Sequence, residues 1–485
     1  MPKLRGLRRI KTAEPSPNRK STEKRGYSID MINGPLAGKL LLFALPLMLS
    51  SLLQLLFNAA DIVVVGRYVG KEALAAVGSN TSLINLLVNL FVGFSVGANV
   101  VVARDLGAGR DEDVRKSVQT TITLALASGI LLAVLGTVLA RPLLQMTSSP
   151  TDVIDLATVY LRIYFCGMPA NMLYNVGSAI LRAQGDTRRP LYFLTAAGVV
   201  NVLLNLVFVV GLQMSVAGVA LATIVAQYIS AGLVLLCLVQ DQGLLHLDLK
   251  QLGVDKRIVR RILQVGLPAG FQGIVFSLSN VVIQSSINSF NSTAIVAGSS
   301  ASANIEGFVY AAMNAFYQTA LTFISQNYGA GRCKRADRSL LLCLGYVAAT
   351  GLVLGNLTVY FGHGLASIYA PGEEEVIAQA IVRMGFVCRF YFLCGIMDTM
   401  VGALRGLGYS VIPMVVSMVG ACGLRLLWVA TIFQAQPSPA VLYASYPVSW
   451  TVTAAFHAAF FFFIRKHAYA KAQGIQSLSK DAEVS

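Results

Sequence analysis

Gly107-Ala108-Gly109-Arg110 recurs as Gly329-Ala330-Gly331-Arg332, 222 positions further along the chain. Leu45-Pro46 and Asn58 return at the same offset as Leu267-Pro268 and Asn280. Leu181-Arg182, Gly185 and Pro190 return 223 positions on as Leu404-Arg405, Gly408 and Pro413. Two such copies restrict the chain to an internally repeated fold, and each copy is mostly apolar. A duplicated apolar chain points to a transporter with its binding site between the halves.

Hydrophobic residues make up 55% of the chain and charged residues only 13%, about half the charge of an ordinary soluble domain. Runs such as 40–65, 191–211 and 217–239 exceed the ~20 apolar residues a helix needs to cross a bilayer. A barrel would need alternating strands of about ten residues, and these runs do not alternate. The expected fold is therefore an all-α membrane protein with twelve transmembrane helices. We place them at approximately 38–66, 77–103, 117–144, 155–181, 190–211, 216–240, 262–287, 297–325, 339–362, 376–404, 409–433 and 442–464. Six spans per copy is an even number, so both copies insert with the same orientation. They form two six-helix lobes related by a pseudo-two-fold axis along the membrane normal.

The net charge of +15 is a matter of topology. With the amino terminus inside, 30 of the 38 Lys and Arg residues fall in the tails and cytoplasmic loops. That asymmetry is the positive-inside rule. It puts both termini in the cytoplasm of a cell (inner or plasma) membrane and argues against a nucleic-acid partner. The domain plan that follows is a disordered basic tail over 1–33, an amino lobe over 34–240 and a linker over 241–261. A carboxy lobe over 262–465 and a cytoplasmic tail over 466–485 complete it. Leucines mixed with Lys and Arg make the linker an amphipathic interfacial helix in this reading. The seven cysteines avoid the outside loops, and the four histidines are scattered, so neither disulfides nor a zinc site is expected.

Ionisable groups inside a bilayer are functional candidates by default, and three carboxylates lie within spans: Asp61, Glu306 and Asp398. Gln54, Asn58 and Asp61 fall at i, i+4 and i+7, one polar stripe down span 1. Asn201 and Asn205 are four apart on span 5, and Thr223 lies on span 6. Asp61, Asn205 and Thr223 each lie about five to seven residues from the outer end of their spans, within one layer at ~1.5 Å per residue. A carboxylate, amides and a hydroxyl offer hard oxygen ligands for a cation, or a proton acceptor. Asn171, Tyr174 and Asn175 on span 4, with Asn85 and Asn89 on span 2, are candidates for a substrate cleft or for interhelical hydrogen bonding. Met313, Phe316 and Tyr317 could add an aromatic surface for cationic drugs, or serve as core. Glu306 is either a carboxy-lobe substrate or proton carboxylate, or the ion-pair partner of Arg425 or Arg389.

Together these residues resemble the multidrug and toxic compound extrusion (MATE) transporters. The resemblance rests on Leu45-Pro46 with Asn58, Asp61 and Gly66, on Gly107–Arg110, and on Leu181-Arg182-Ala183-Gln184-Gly185-Asp186-Thr187 with Pro190. Gly218–Thr223 and Leu404-Arg405-Gly406 extend it over about residues 35 to 465. It implies two lobes around a V-shaped cleft and export of organic cations or other amphipathic compounds in exchange for Na⁺ or H⁺. It also implies an amino-lobe cation site at Asp61, Asn201 and Thr223. A second span 5 aspartate common in the family is here Asn205, which removes a negative charge. For the span 7 glutamate of some relatives this chain offers Gln272, Ser277, Asn280 and Gln284. Asp398 matches a span 10 carboxylate of many members.

The reading is thus an antiporter of small molecules working as a monomer, with no cofactor, no catalytic residues and no metal beyond transient Na⁺ at Asp61. Cation coupling falls to Asp61, Asn201, Thr223, Asn205 and Asn58. The substrate cleft takes Gln54, Asn171, Tyr174, Asn175, Gln272, Asn280, Gln284, Glu306 and Asp398. The alternative is a lipid-linked oligosaccharide flippase of related architecture, and more distantly a membrane-bound transferase. The transferase lacks a convergent nucleophile or His–acid set.

Overall fold

The structure, a computed structural model, describes residues 27–146 and 153–484. Most of the basic tail expected over 1–33 lies outside the described residues. No strand occurs among those described. In lipid every backbone polar group must be satisfied within the segment, and a helix does this locally.

The amino lobe comprises α1 (Leu36–Tyr68), α2 (Lys71–Gly107), α3 (Asp111–Met146), α4 (Ile154–Cys166), α5 (Met168–Gln184), α6 (Arg188–Asn205) and α7 (Ser215–Val239). The carboxy lobe follows with α8 (Lys256–Asn288), α9 (Thr293–Gly329), α10 (Cys333–Tyr360), α11 (Gly362–Tyr369), α12 (Glu374–Val387) and α13 (Tyr391–Gly406). It closes with α14 (Val411–Ser417), α15 (Leu424–Trp428) and α16 (Pro439–Val484). Eight of these segments are long and apolar enough to cross a membrane alone, and the bent pair α12–α13 makes a ninth. The long helices α2 and α9 complete the count with α4–α5. Helix α9 buries Ser302, Glu306, Thr319, Thr322 and Ser325 against protein rather than lipid, which lowers its hydropathy. Twelve spans in two lobes result.

The duplication extends to irregularities that the sequence does not advertise. The fourth span breaks at Gly167 between α4 and α5, and the tenth breaks between α12 and α13 with a bend of 46°. A π-turn over Leu206–Gly211 follows Asn205, and another over Val429–Phe433 occupies the equivalent place in span 11. Such turns often mark functional sites.

One sequence expectation is corrected here. The linker is not an amphipathic helix: the chain is irregular until Lys256. The Asp241 carboxylate accepts from the backbone N–H groups of Gly243 and Leu245, and Asp248 accepts from Lys250, offering the backbone an alternative to helix. Leu245 and Leu247 are buried in the amino lobe. Asp255 then caps α8 by accepting from Arg257 and Ile258. The last helix continues past the span expected over 442–464, with α16 running on to Val484. Tyr469 donates to Asp337 at 2.7 Å and Tyr328 donates to the Ala468 carbonyl, which ties the extension to the lobe.

The lobes meet closely at the end carrying the repeated Gly-Ala-Gly-Arg turns. Gly109 and Gly331 take φ of +67° and +65°, a region open to glycine at little cost. Gly107 and Gly329 instead permit contact: a Cβ on Gly107 would lie 2.0 Å from the Gln326 carbonyl oxygen, and one on Gly329 would lie 2.2 Å from that of Arg104. Arg104 and Gln326 are themselves equivalent positions, so the contact is reciprocal about the pseudo-two-fold axis. Asp105, fully buried, accepts from Arg110 of its own lobe at 2.6 Å and from Arg261 of α8 at 2.8 Å. Thr322 of α9 donates to Asn99 of α2 at 3.0 Å. Arg335 binds the carbonyls of Met31, Asn33 and Gly34, strapping the segment before α1 onto the carboxy lobe.

Candidate functional site: paired polar cavities

At the opposite end of α1, the stripe Gln54, Asn58 and Asp61 lines a pocket of about 120 Å³. Asn171, Tyr174 and Asn175 of α5, Asn201 of α6, and Thr223, Gln227 and Ser230 of α7 complete its polar wall. Asp61 is the one acid among these lining residues, and none of them is basic. Gly198 lets α6 approach α1 here, because a Cβ would fall 1.9 Å from the Phe57 ring.

Three helices converge on the carboxylate. Asn205, at the last turn of α6 and fully buried, donates from Nδ2 to Asp61 Oδ1 at 2.5 Å. The same nitrogen reaches Asn201 Oδ1 at 3.4 Å, and Asn201 Nδ2 reaches Thr223 Oγ1 at 3.5 Å. Thr223 in turn donates to the Val219 carbonyl at 3.0 Å. Asn205 Oδ1 and Gln227 Oε1 are buried without a hydrogen-bond donor among the described residues. Spare buried oxygens beside a carboxylate suit a desolvated proton or a hard monovalent cation. No cluster of three His, Cys, Asp or Glu side chains that could hold a resident metal occurs among the described residues.

The expected amino-lobe set is therefore brought together. Asn205 acts directly on Asp61, although it does not line the pocket. Asn175 bonds to Asn171 within α5, and Tyr174 donates to the Pro190 carbonyl. Gln227 and Ser230 were missed, yet Thr223, Gln227 and Ser230 repeat on α7 the i, i+4, i+7 spacing of α1. Replacing Asn205 with Leu removes a charge-assisted hydrogen bond worth about 1.5–3 kcal/mol. The ion concentration for half-maximal transport should then shift about tenfold or more, read from transport against ion concentration; an unchanged value contradicts the role given to Asn205.

A second cavity of about 250 Å³ lies between the lobes, walled by α2, α8, α9 and α13. Gln272 and Asp398 line it, as does Asn89, with Tyr310, Asn314, Tyr317 and Arg405; the side chain of Asn85 lies outside those described. Tyr310 donates to Asp398 at 3.2 Å. Arg405 donates to Tyr317 Oη and to Gln272 Oε1, both at 2.7 Å. Gln272 Nε2 donates onward to Ser417, which pairs with His457 at 3.1 Å. That histidine, without partners in the sequence reading, thus ends a buried chain of hydrogen bonds.

Three cleft assignments fail. Asn280 and Gln284 are exposed on α8 and line neither cavity, and Gln284 donates to Asn288 at 3.0 Å. Glu306 is 5% exposed and faces α12, where Arg383 grips both its carboxylate oxygens at 2.8 and 2.9 Å. Its partner is neither Arg425 nor Arg389. Arg425 lies over the Tyr446 ring and donates to Ser449. Five residues before the break at 388–390, Arg383 is carried by α12 alongside α9, a geometry hidden when span 10 is read as one straight helix. Met313 and Phe316 are core, and of that trio only Tyr317 lines the cavity. Glu306→Gln should leave Arg383 uncompensated and cost about 3–5 kcal/mol of stability. Thermal unfolding in detergent would show the loss, while transport per folded molecule stays unchanged.

The MatE family model matches residues 46–207 and again 268–430, so each copy begins at one of the repeated prolines. The probable multidrug resistance protein YoeA of Bacillus subtilis is 27% identical over 392 residues, covering 79% of this chain and 84% of that protein. The FAD transporter of Shewanella oneidensis is 24% identical over 348 residues, covering 71% and 76%. Among solved structures, an outward-facing multidrug resistance MATE family transporter superposes with a TM-score of 0.85 at 19% identity, covering 93% of this chain and all of that one. A MATE protein in the bent conformation gives 0.84 at 18% identity, covering 91% and 98%. The double match, over two thirds of the chain and in register with its internal repeat, places this protein in the MATE family of multi-pass membrane transporters, which are not enzymes.

Proposed function

We propose that the protein is a secondary antiporter that exports organic cations and other amphipathic compounds in exchange for H⁺ or Na⁺. The observation that carries the reading is the Asp61 pocket. It holds one carboxylate, no base and a ring of neutral oxygens, a combination that attracts a cation and rewards its neutralisation. The multidrug names of several relatives support the cargo class.

In this scheme an ion or proton reaching Asp61 from outside competes with Asn205 for the carboxylate oxygen. Neutralising the charge alters the balance of hydrogen bonds between α1 and α6. Pro46 removes one backbone hydrogen bond within α1 and so leaves the helix free to bend with that change, and α1 also packs on α9 and α10 of the opposite lobe. One binding event thereby biases the arrangement of both lobes, as population shift requires. The glycine contact and the Asp105–Arg261 pair form the inner closure, with both termini in the cytoplasm and the protein working as a monomer in the cell membrane. The flippase alternative needs a basic cleft for lipid phosphates, and the first pocket has no basic lining residue.

Everted vesicles loaded with a fluorescent cationic substrate, with a proton gradient and a sodium gradient imposed separately, test the scheme. Export should follow one of the two gradients and collapse with the matching ionophore. Export that persists without either gradient would overturn antiport.

A further inference from the structure

Four cations occupy the first six residues of α8, and they divide by face. Arg257 and Arg261 reach the amino lobe, where Asp113 of α3 meets the first at 2.6 Å and Asp105 of α2 the second at 2.8 Å. Lys256 and Arg260, four residues apart on the neighbouring face, are exposed. Neither forms an ion pair among the described residues. Both line a groove of about 820 Å³ between α8 and the turn that leads from α13 into α14, and no Asp or Glu lines it with them. Asp255, next to Lys256, instead caps α8 by accepting from two backbone N–H groups.

Past the cations the walls turn apolar: Leu263 and Leu267 of α8 stand across from Val411 and Ile412 of α14. Leu267 lies seven residues beyond Arg260, ~10 Å further along the axis. Leu267 is 37% exposed and Val411 54%, so this part of the groove opens sideways, where lipid chains run. Cations at the mouth and an apolar slot behind them match a phospholipid, whose anionic headgroup is followed by acyl chains. The positive-inside rule asks for basic residues at this end, but not for two unneutralised ones on a single groove. The internal repeat separates the two features. Leu41 and Leu45 stand in the first copy where the second has Leu263 and Leu267, whereas Gly34 and Gly38 stand in place of Lys256 and Arg260. The apolar slot belongs to the shared scaffold, and the cations belong to one copy alone.

We propose that this groove binds one anionic phospholipid, its phosphate between Lys256 and Arg260 and an acyl chain along Leu263 and Leu267. Its volume lies within the range of pockets that hold an organic ligand, enough for the headgroup and the upper part of the chains. The groove shares no lining residue with either polar cavity, so the lipid is a ligand of the scaffold and not cargo. Its two walls are joined, since Ser410 donates to the Val265 carbonyl at 2.7 Å. Both also meet the amino lobe: Arg261 binds Asp105, and a Cβ on Gly408 would lie 2.6 Å from Arg104. A lipid seated there rests on the two elements that close this end.

Native mass spectrometry of the purified full-length protein tests it, by titration with phosphatidylglycerol and with phosphatidylcholine of the same chains. The first phosphatidylglycerol should bind about thirtyfold more tightly than the first phosphatidylcholine, the factor that two cations near a membrane surface supply. Lys256→Gln and Arg260→Gln should each lower that preference about fivefold, and the double variant should abolish it. Lys334→Gln with Arg338→Gln removes the same charge from exposed positions at the same end and should leave the preference intact. Equal first affinities of the wild type for the two lipids would overturn the proposal, whether or not the variants fold. So would a preference that survives in the Lys256/Arg260 double variant or disappears in the Lys334/Arg338 control. Displacement of the bound lipid by millimolar inorganic phosphate would make the occupant a soluble anion and overturn the lipid assignment. No gradient and no transported compound is used, so a failure of ion coupling would leave this result untouched.

Discussion

Asp61→Asn should reduce ion-driven export to the background of vesicles lacking the protein. The substitution preserves size and the capacity to meet Asn205 Nδ2, the donor now 2.5 Å from the carboxylate. It removes the single negative charge among the residues lining the first pocket. An amide does not change its protonation state near neutral pH and gives a cation a weaker ligand than a carboxylate does. Coupling is therefore lost at its origin, while the fold is kept, because Asp61 lies beside an open pocket rather than in the sealed core. Fluorescent-cation efflux from everted vesicles, normalised to protein in the membrane, measures it. Asp61→Glu retains the charge one methylene further out and should recover part of the rate.

Asp105→Asn should act at the far end of the molecule and with comparable force. Asp105 is fully buried and receives hydrogen bonds from two arginines, one from each lobe. Removing its charge leaves Arg261 facing a neutral amide, and breaking a buried pair costs about 3–5 kcal/mol. A shift of ~5.5 kcal/mol carries a two-state equilibrium from 1:99 to 99:1, so this loss is large enough to open the closed end in much of the population. Spin labels at the exposed positions Glu112 and Lys334, near the two Gly-Ala-Gly-Arg turns, should report a longer mean distance in the variant. Transport should fall with it, since one closure would no longer hold while the other opens. An unchanged distance distribution would mean that the glycine contact, not the ion pair, holds the lobes together.

Much of the architecture was legible because its cause is local. Apolar runs, prolines and charge asymmetry report directly on spans and lobes, and the Gly-Ala-Gly-Arg copies gave the pseudo-two-fold. The stripe of Gln54, Asn58 and Asp61, and the pairing of Asn201 with Asn205, follow from helical spacing, so the amino-lobe pocket is legible in the sequence. What escaped depends on breaks and contacts far apart in sequence. The bend between α12 and α13 turns Arg383 toward Glu306, and no periodicity reveals it. The chain from Arg405 through Gln272 and Ser417 to His457 links four helical segments, each contributing one unremarkable polar residue. The linker misled because its leucines and basic residues fit a helix, whereas aspartates bonded to the backbone fit a loop.

The duplication that shaped the fold does not extend to the chemistry. Pro46 and Pro268 sit inside α1 and α8 alike, and the turns and helix breaks recur. Yet Ile283 stands where the second copy would repeat Asp61, and Trp428 where it would repeat Asn205. The carboxy lobe instead places Asp398 where the amino lobe has Asn175, and adds an unneutralised Arg405. Each lobe has thus kept the scaffold and built its own cavity on it, one acidic and one of mixed charge.

The central claim is that ion movement at Asp61 and substrate movement are one process. Purified protein in sealed liposomes, loaded with a cationic substrate and diluted into substrate-free buffer, tests this with no ion gradient imposed. Outward flow of substrate should drive H⁺ or Na⁺ inward, recorded by an internal pH dye or by ²²Na⁺ uptake, and Asp61→Asn should abolish that inward flux. Substrate efflux without any counter-movement of either ion, or counter-movement undiminished in Asp61→Asn, would contradict the account.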